Sequence, residues 1–239
     1  HLPDIDGLAE AERYDTVSVD PRDFVNQRVL IIGKGNSAFE TADALIPTAA
    51  VIHVAGPKSI KLAWQSHYVG HLRAVNNNFL DTYQLKSGNA VLDGTVEQIT
   101  RRPDGGYRVL LRYARTREAL RELAYDRIIA CTGFRFDASI FDGSCAPRLV
   151  VDDRFPEQSP AFESVNVPGL YFAGTLTQQR DFKRSTNGFI HGFRYGTRAL
   201  YRILMARHHG QPWPATRIDP TPEAITDRII ERVNRSSAL

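Results

Sequence analysis

Cysteine and long apolar runs are both scarce in this sequence of 239 residues. Cys131 and Cys145 are the two cysteines, which is too few for a disulfide framework, and they do not form a C-x-x-C redox pair. Free cysteines are typical of a reducing compartment, and we expect a cytoplasmic location. No apolar run approaches the roughly 18 residues that a membrane-spanning helix requires, so the sequence predicts no membrane partner.

An excess of charge of one sign is also lacking. The 30 basic and 27 acidic side chains leave a formal net charge of +3. No basic block with interleaved aromatic residues is present, so nucleic acid is not predicted as a partner. The hydrophobic share of 42% and charged share of 24% are those of an ordinary globular protein with room for one or two domains.

The first half of the chain carries a strand, turn, helix and strand in succession. The apolar run over residues 28–32 predicts a buried strand, and the spacing of apolar residues over 36–45 predicts a helix that Pro47 ends. Residues 50–54 predict a second buried strand. This order is the βαβ unit of a parallel sheet, so the sequence predicts an α/β fold.

The turn between this strand and helix has the spacing of a dinucleotide-binding loop. Gly33 permits a tight turn, Gly35 lets the backbone approach a pyrophosphate, and Ala38 takes the third small-residue position, where helix and strand pack closely. The helix N-terminus offers free N–H groups to the phosphates. An ordinary glycine turn is the alternative. The predicted cofactor-binding residues here are Gly33, Lys34, Gly35, Asn36, Ser37 and Ala38.

The end of the second strand bears on which dinucleotide binds. A site for NAD usually has an acidic residue there, about 20 residues after the glycines, that holds the ribose hydroxyls. Residues 53–58 contain no carboxylate, whereas Lys58 and Lys61 can meet a ribose phosphate. The alternative is that both lysines are simply solvated. The sequence therefore favours NADP(H) over NAD.

The middle of the chain leads from the βαβ unit to a hairpin. Residues 57–90 are rich in Trp, Tyr, Asn and His and predict a helical or irregular excursion. Alternating runs over 94–101 and 107–113 flank a turn with two glycines, which predicts a β-hairpin.

Two further apolar runs, 127–131 and 169–173, each predict a strand that ends in a glycine turn. The apolar spacing from Gly188 to about residue 207 predicts a helix, and a second helix is predicted over 222–234. A helix N-terminus near a flavin stabilises the negative charge of its reduced form. The predicted flavin-side residues are Thr132, Gly133, Gly174, Thr175, Gly188, Phe189 and Ile190.

The order of these motifs resembles the flavin-containing monooxygenase and N-hydroxylase group of flavoproteins with two dinucleotide-binding domains. Within it, the chain is most similar to the FAD-dependent oxidoreductase domain-containing proteins. The resemblance covers about residues 12–216. It is carried by the segments GKGNSAFETAD, IIACTGF, NVPGLYFAGT and STNGFIHGFRYGTRAL, and more specifically by residues 64–87 and 207–216.

The resemblance implies a Rossmann-type NADPH-binding domain over residues 25–125 and the C-terminal part of an FAD-binding Rossmann-type domain over 126–210. Residues 1–24 would form a connecting arm and 211–239 a tail with a short helix. The family's first FAD motif, a strand followed by GxGxxG, would precede residue 1. We therefore expect a partner polypeptide or an upstream segment to carry it, with FAD and NADPH as cofactors.

The activity that the resemblance implies is NADPH-dependent monooxygenation of a nitrogen or sulfur atom of a small-molecule substrate through a flavin peroxide. Catalytic candidates are Asn77, Asn78 and His191, although polar turns and local packing explain them equally well. A thiol-disulfide reductase would need a cysteine pair, and a non-catalytic NADP(H)-binding subunit is the alternative outside the enzymes. His67 and His71 have a metal-ligand spacing without a third ligand, so no metal is predicted.

Overall fold

The computed structural model describes residues 2–83 and 88–236, in two compact units, His1–Phe134 and Arg135–Leu239. Residues 84–87, the end of the predicted excursion, lie outside the described residues. Within the described part, no helix is both long and apolar enough to cross a bilayer.

The first unit is built on a mixed sheet that the described residues form with seven strands. In chain order the strands are β1 Glu12–Arg13, β2 Arg28–Ile32, β3 Val51–Gly56, β4 Ala90–Arg101, β5 Tyr107–Tyr113, β6 Leu120–Tyr125 and β7 Arg127–Ala130. Across the sheet their order is β1, β7, β2, β3, β4, β5, β6. Neighbouring strands from β1 to β4 in this order are parallel, and the pairs β4–β5 and β5–β6 are antiparallel.

Strand β2 lies at the middle of the parallel part of the sheet, and both of its faces are apolar. Val29 and Ile31 are buried in a cluster with helix α1, Asn36–Leu45, whereas Leu30 and Ile32 are buried in a second cluster with residues of β4 and β5. Successive side chains of a strand point to opposite faces, so one short run serves both clusters. The predicted βαβ unit and the α/β fold class are confirmed.

The hairpin predicted over 94–101 and 107–113 is also present, within longer pairings. The first residues of β4, from Ala90 to Asp93, pair in parallel with β3, and the rest of β4 pairs with β5. Strand β6 was not predicted, because it is short, its residues are largely exposed and they show little apolar alternation. It forms the edge of the sheet beyond β5.

The predicted boundaries assign residues 127–130 to the FAD-binding domain, but these residues form a strand of the first unit's sheet. Instead of joining the unit that follows, β7 pairs in parallel with β1 and β2. Ile128 and Ile129 are fully buried there, one in each core cluster. The predicted connecting arm is partly core as well, since Leu8 and Ala11 are buried and β1 pairs with β7.

The excursion after β3 contains two short helices, α2 Ala63–Ser66 and α3 Asn78–Tyr83. Helix α2 ends at His67, whose φ of 56° is left-handed. His67 and His71 therefore do not share a helix face, contrary to what their spacing suggested. In residues 2–83 and 88–236, no group of three potential metal ligands comes together.

The second unit contains helices α4, Ile190–His209, and α5, Pro222–Arg235, close to the predicted bounds. Its strands β8, Leu149–Val150, and β9, Phe155–Pro156, form a two-stranded antiparallel sheet. The strand predicted over 169–173 is wrong. Phe172 N–H donates to the Phe162 carbonyl (2.9 Å), and Tyr171 forms one isolated antiparallel bridge, so this apolar run has no parallel neighbour in the described residues.

Candidate dinucleotide-binding site

The glycine loop, defined as Gly33–Ala38, follows β2, the middle strand of the parallel part of the sheet. The chain passes from β2 to its neighbour β3 on one side, while β7 lies on the other side of β2. The carboxyl ends of β2 and β7 therefore border a topological switch point. Open α/β sheets bind ligands in the crevice at such a point.

The two glycines of the loop serve different purposes. Gly33 has φ 130°, and a Cβ there would lie 2.1 Å from the Cys131 carbonyl oxygen, so this glycine lets the loop pack against the end of β7. A Cβ on Gly35 would meet no atom within 4 Å. The space in front of Gly35 is open, as close approach of a pyrophosphate to the backbone requires.

Helix α1 begins directly after this open space. Gly35 is its N-cap and supplies no side-chain cap, and the first intrahelical bond runs from Phe39 N–H to the Gly35 carbonyl (3.2 Å). The N–H groups of the first turn have no partner within the helix. Ala38 is fully buried, so a small side chain is needed at this position. The loop thus fits a dinucleotide phosphate at the positive end of α1.

The side chain of Asn36 faces the excursion. Its amide donates to the carbonyls of His71 (2.9 Å) and Gly70 (3.4 Å), and its oxygen accepts from Arg73 N–H (3.0 Å) and from Asn76 (2.9 Å). Only the backbone of Asn36 is then available to a phosphate. Its side chain ties residues 70–76 to the start of α1.

A small cavity of about 30 Å³ lies beside the loop, at the end of β7. Ser37, Cys131, Thr132 and Gly133 are among its lining residues, which brings predicted residues from both ends of the first unit together. Burial raises the pKa of the Cys131 thiol to about 11. Cys131 is therefore a protonated thiol at neutral pH and a poor nucleophile.

The ribose end of the site contains an acid that the sequence analysis missed. No carboxylate ends β3, but Asp93 of β4 pairs in register with Gly56, the last residue of β3. Asp93 lies 37 residues after Gly56 in the chain and reaches this position only through the β3–β4 pairing, so no local pattern indicates it. Residues 53–58 contain no carboxylate, as the sequence shows, but the β3–β4 pairing brings Asp93 beside the end of β3.

Asp93 is surrounded by cations. Its carboxylate forms ion pairs with Lys34, whose side chain is only 7% exposed, and with Arg115 (2.9 Å), and it accepts a hydrogen bond from Ser59 (3.3 Å). The bond from Lys34 holds the pKa of Asp93 below its usual value, while burial lowers the pKa of Lys34 although Asp93 opposes that shift. Lys58 is exposed.

Lys34 was predicted to bind the cofactor, but its side chain contacts other residues of the chain. Its ammonium is engaged with Asp93, and its methylene groups cover the backbone of Gly56, where a Cβ would lie 3.3 Å from Lys34 Cγ. Lys61 is exposed, and its backbone carbonyl accepts from Leu72 N–H (2.9 Å). Arg115 is a further cation at this end of the site that the sequence did not predict, and its side chain is 71% exposed.

Of the residues predicted on the flavin side, Thr132 and Gly133 lie in the first unit, whereas Gly174, Thr175, Gly188, Phe189 and Ile190 lie in the second. Gly174 has φ 68°, and a Cβ there would face open space, with Thr175 following in a 3-10 helix over Gly174–Asp181. A Cβ on Gly188 would lie 2.4 Å from the end of the Gln178 side chain, which would then have to move. Phe189 is the N-cap of α4, and Ile190 is exposed.

Besides the hydroxyl of Ser236, three side-chain oxygens of this unit are buried without a hydrogen-bond partner in the described part of the chain. They are Oε1 of Gln158, Oε1 of Gln179 and Oδ1 of Asp181. Buried polar atoms are nearly always paired, so such orphans indicate donors that the described residues do not supply. This fits a site for a polar cofactor that is only partly formed by these residues.

The three catalytic candidates have distinct surroundings. Asn78 donates from its side chain to Asp43 of α1. Asn77 carries a buried side-chain oxygen without a partner in the described residues. His191 stacks on Phe189, with ring centroids 5.9 Å apart, in the second unit.

Comparison with known proteins assigns this chain to a family. The model of the pyridine nucleotide-disulphide oxidoreductase family matches residues 1–174, and the chain belongs to that family. This membership supports a flavoprotein oxidoreductase that binds a flavin and a nicotinamide nucleotide, and the Rossmann-type fold is confirmed.

Among individual proteins, the chain is similar to FAD-dependent oxidoreductase domain-containing protein 2 of Mus musculus, with 41% identity over 261 residues that cover 100% of this chain and 39% of that protein. The Danio rerio protein of the same name is 39% identical over 280 residues, covering 98% of this chain and 40% of its own length. The predicted resemblance is confirmed. The chain spans about two fifths of the length of these relatives.

A solved structure shares the fold. The bacillithiol disulfide reductase of Bacillus cereus superposes with a TM-score of 0.64 at 15% sequence identity, over 87% of this chain and 58% of that one.

Proposed function

We propose that the chain binds NADP(H) at the glycine loop and passes its reducing equivalents to FAD, as part of a monooxygenase acting on a nitrogen or sulfur atom of a small molecule. The observation that carries the proposal is the open space before Gly35 at the N-terminus of α1, beside the switch point of the sheet. An anionic pyrophosphate is favoured there by the helix dipole and by free N–H groups.

The charges near the ribose end support NADP(H) over NAD. Asp93 alone would repel a 2′-phosphate, but Lys34 and Arg115 both pair with it, which leaves one net positive charge on the three side chains. The exposed guanidinium of Arg115 offers bidentate donors that suit phosphate. Lys58 would add a second cation from the end of β3.

In this proposal Cys131 takes no redox part. Cys131 is a buried thiol with its pKa raised to about 11, so a thiolate there would be disfavoured at neutral pH. A bound flavin would supply both hydride acceptance and oxygen activation. The chain's own residues would position the nicotinamide dinucleotide and exclude water from its crevice.

The FAD site of the second unit is proposed to be completed by another polypeptide segment, carried by a partner or by a longer form of this protein. The buried unpaired oxygens of Gln158, Gln179 and Asp181 support this, since a completed site would supply their donors. The proposed segment carries a strand followed by GxGxxG for the FAD pyrophosphate.

Cofactor titration tests the proposal. NADPH should bind the purified chain more tightly than NADH, and Arg115→Gln and Lys58→Ala should each narrow that preference by about 1–2 kcal/mol through lost charge-assisted contacts. Arg108→Gln is a matched control, because Arg108 is an exposed arginine paired with Glu122 on the antiparallel strands. Equal binding of NADH and NADPH by the unmodified chain would contradict the proposed preference.

Turnover separates the enzyme from the non-catalytic alternative. With FAD and the completing segment present, NADPH should bleach the flavin absorbance. Oxygen should restore the absorbance, with one oxygen atom passing to a nitrogen or sulfur nucleophile and the other leaving as water. NADPH binding without flavin reduction would instead favour a regulatory NADP(H)-binding subunit.

A further inference from the structure

The second unit carries an open cleft between α4, α5 and the segment that connects them. Its volume is about 560 Å³, within the range of small-molecule sites. We call it the arginine cleft and define it by the lining residues Tyr195, Arg198, Arg202, Trp213 and Arg232. None of these residues belongs to the glycine loop or to the predicted flavin-side set.

The cleft concentrates positive charge. Arg198 and Arg202 are one helical turn apart on α4, and Arg232 approaches from α5. No carboxylate lines the cleft, and none of the three guanidiniums has an ion-pair partner within residues 2–83 and 88–236. Three like charges around one opening repel one another, so the arrangement favours an anion that neutralises them.

Nearby arginines show that this lack of carboxylate partners is local. Arg228 and Arg235 lie on the same helix as Arg232, and both pair with Glu231. Arg232 instead places its guanidinium over the ring of Tyr195, 5.2 Å from the centroid. Arg232 also lines the cleft, and a guanidinium there suits bidentate binding of phosphate.

An aromatic surface lies next to these charges. Trp213 lines the cleft, yet 52% of it is exposed. It stands in the segment between α4 and α5 and is followed by Pro214, which restricts the backbone there. An exposed indole beside guanidinium groups offers a stacking surface for a planar ring.

We propose that the arginine cleft binds a small molecule that combines a planar aromatic ring with phosphate groups, as a nucleotide does. The guanidiniums of Arg198, Arg202 and Arg232 would hold the phosphates, and Trp213 would stack on the ring. This site takes its ligand in addition to the dinucleotide of the glycine loop, and it does not depend on the proposed monooxygenation.

Fluorescence of Trp213 tests this proposal, because the sequence contains only one other tryptophan, Trp64. A Trp64→Phe, Gly35→Val chain leaves Trp213 as the sole indole and removes the glycine-loop site. Titration of this chain with ADP should quench the fluorescence saturably. Pyrophosphate, which lacks the ring, and adenosine, which lacks the phosphates, should each bind at least about tenfold more weakly.

Substitutions in the same background identify the residues. Arg198→Gln and Arg202→Gln should each weaken ADP binding about tenfold, while Arg228→Gln, already neutralised by Glu231, should leave it unchanged. All three side chains are exposed, and circular dichroism verifies that the variants fold. Absence of saturable quenching, binding of pyrophosphate as tight as that of ADP, or equal loss in Arg228→Gln would each overturn the proposal.

Discussion

Gly35 is the position at which binding and folding can be separated. A valine there places its branched side chain in space that contains no protein atom within 4 Å of the Cβ, so the fold should tolerate it. The same side chain would occupy the place of the pyrophosphate. We expect Gly35→Val to weaken NADPH binding at least about tenfold, measured by calorimetric titration.

Gly143→Val is the matched control for that variant, because a Cβ on Gly143 also meets nothing within 4 Å and lies in the other unit. It should bind NADPH as the unmodified chain does. Normal NADPH binding by Gly35→Val would mean that the loop does not hold a phosphate.

Asp93 should contribute to stability in a pH-dependent way. Asp93→Asn removes the partner of the nearly buried Lys34 and should lower the free energy of unfolding by about 2 kcal/mol at pH 7, between the values for exposed and buried ion pairs. The pKa of Asp93 is lower in the folded chain than its ordinary value of 3.8. The contribution is therefore present above about that pH and is lost as the pH falls through the folded pKa.

Urea unfolding of both chains between pH 7 and pH 3 measures this difference. The gap between them should be constant near neutrality and should shrink below about pH 4. Asp15→Asn breaks an exposed pair with Arg13 and should cost less than about 1 kcal/mol. A gap that is equally small for Asp93→Asn would show that the Lys34 ion pair does not stabilise the fold.

The residues of the site differ in whether the sequence alone could predict them. Gly33, Gly35 and Ala38 were predictable because their spacing follows one strand and one helix. Asp93 and Arg115 were not, because strand register brings them to the end of β3 from distant parts of the chain. Local spacing cannot reveal a contact that only the sheet creates.

At the scale of elements, one side chain attaches the excursion to the glycine loop. Asn36→Ala would remove four hydrogen bonds that reach Gly70, His71, Arg73 and Asn76. Because two of the freed groups are carbonyls and one is the backbone N–H of Arg73, the excursion should loosen more than α1 does. We expect faster tryptic cleavage after Arg73, which is exposed, and a loss of about 1–3 kcal/mol in stability.

Asn234→Ala, at an exposed position on α5, is the control for that substitution and should change neither quantity. Unaltered cleavage after Arg73 in Asn36→Ala would indicate that packing of the excursion, and not this amide, holds it in place.

The elements that sequence patterns predicted are those whose burial leaves a local signature. Strands β2 and β3 and helices α1 and α4 have contiguous or periodic apolar residues. Strand β6 is largely exposed and its apolar residues do not alternate with polar ones, so its pattern resembles that of a loop. The run over 169–173 has the composition of a strand, but a strand also needs neighbours, and the described residues offer it an antiparallel contact with residues 162–164 instead.

At the scale of the whole molecule, the two units differ in what they bury. Both hydrophobic core clusters of the described residues lie in the first unit. In the second unit, Phe172 and Leu200 are the large buried apolar side chains of the described part, whereas Ile140 and Ile190 are about three-quarters exposed. A unit with so little buried apolar surface gains little stability from it.

Hydrogen exchange should therefore separate the units. In the 239-residue chain, amides of β2, β3 and β7 should exchange slowly, and those of α4 and of the 3-10 helix Gly174–Asp181 should exchange much faster, because local opening costs least where few apolar contacts are lost. Addition of FAD together with the proposed completing segment should slow exchange in the second unit and leave β2 unchanged. Mass spectrometry of peptic fragments measures both effects.

The same experiment decides whether the second unit is part of a flavin site at all. Binding of the segment and FAD should protect Gly174 and the first turn of α4 most, because the proposed flavin lies against them. The flavin retained after gel filtration should approach one per chain. If the isolated chain already protects residues 135–209 as strongly as β2 and retains no flavin with the segment present, those residues form a closed domain with another role, and the proposed two-part flavin site is wrong.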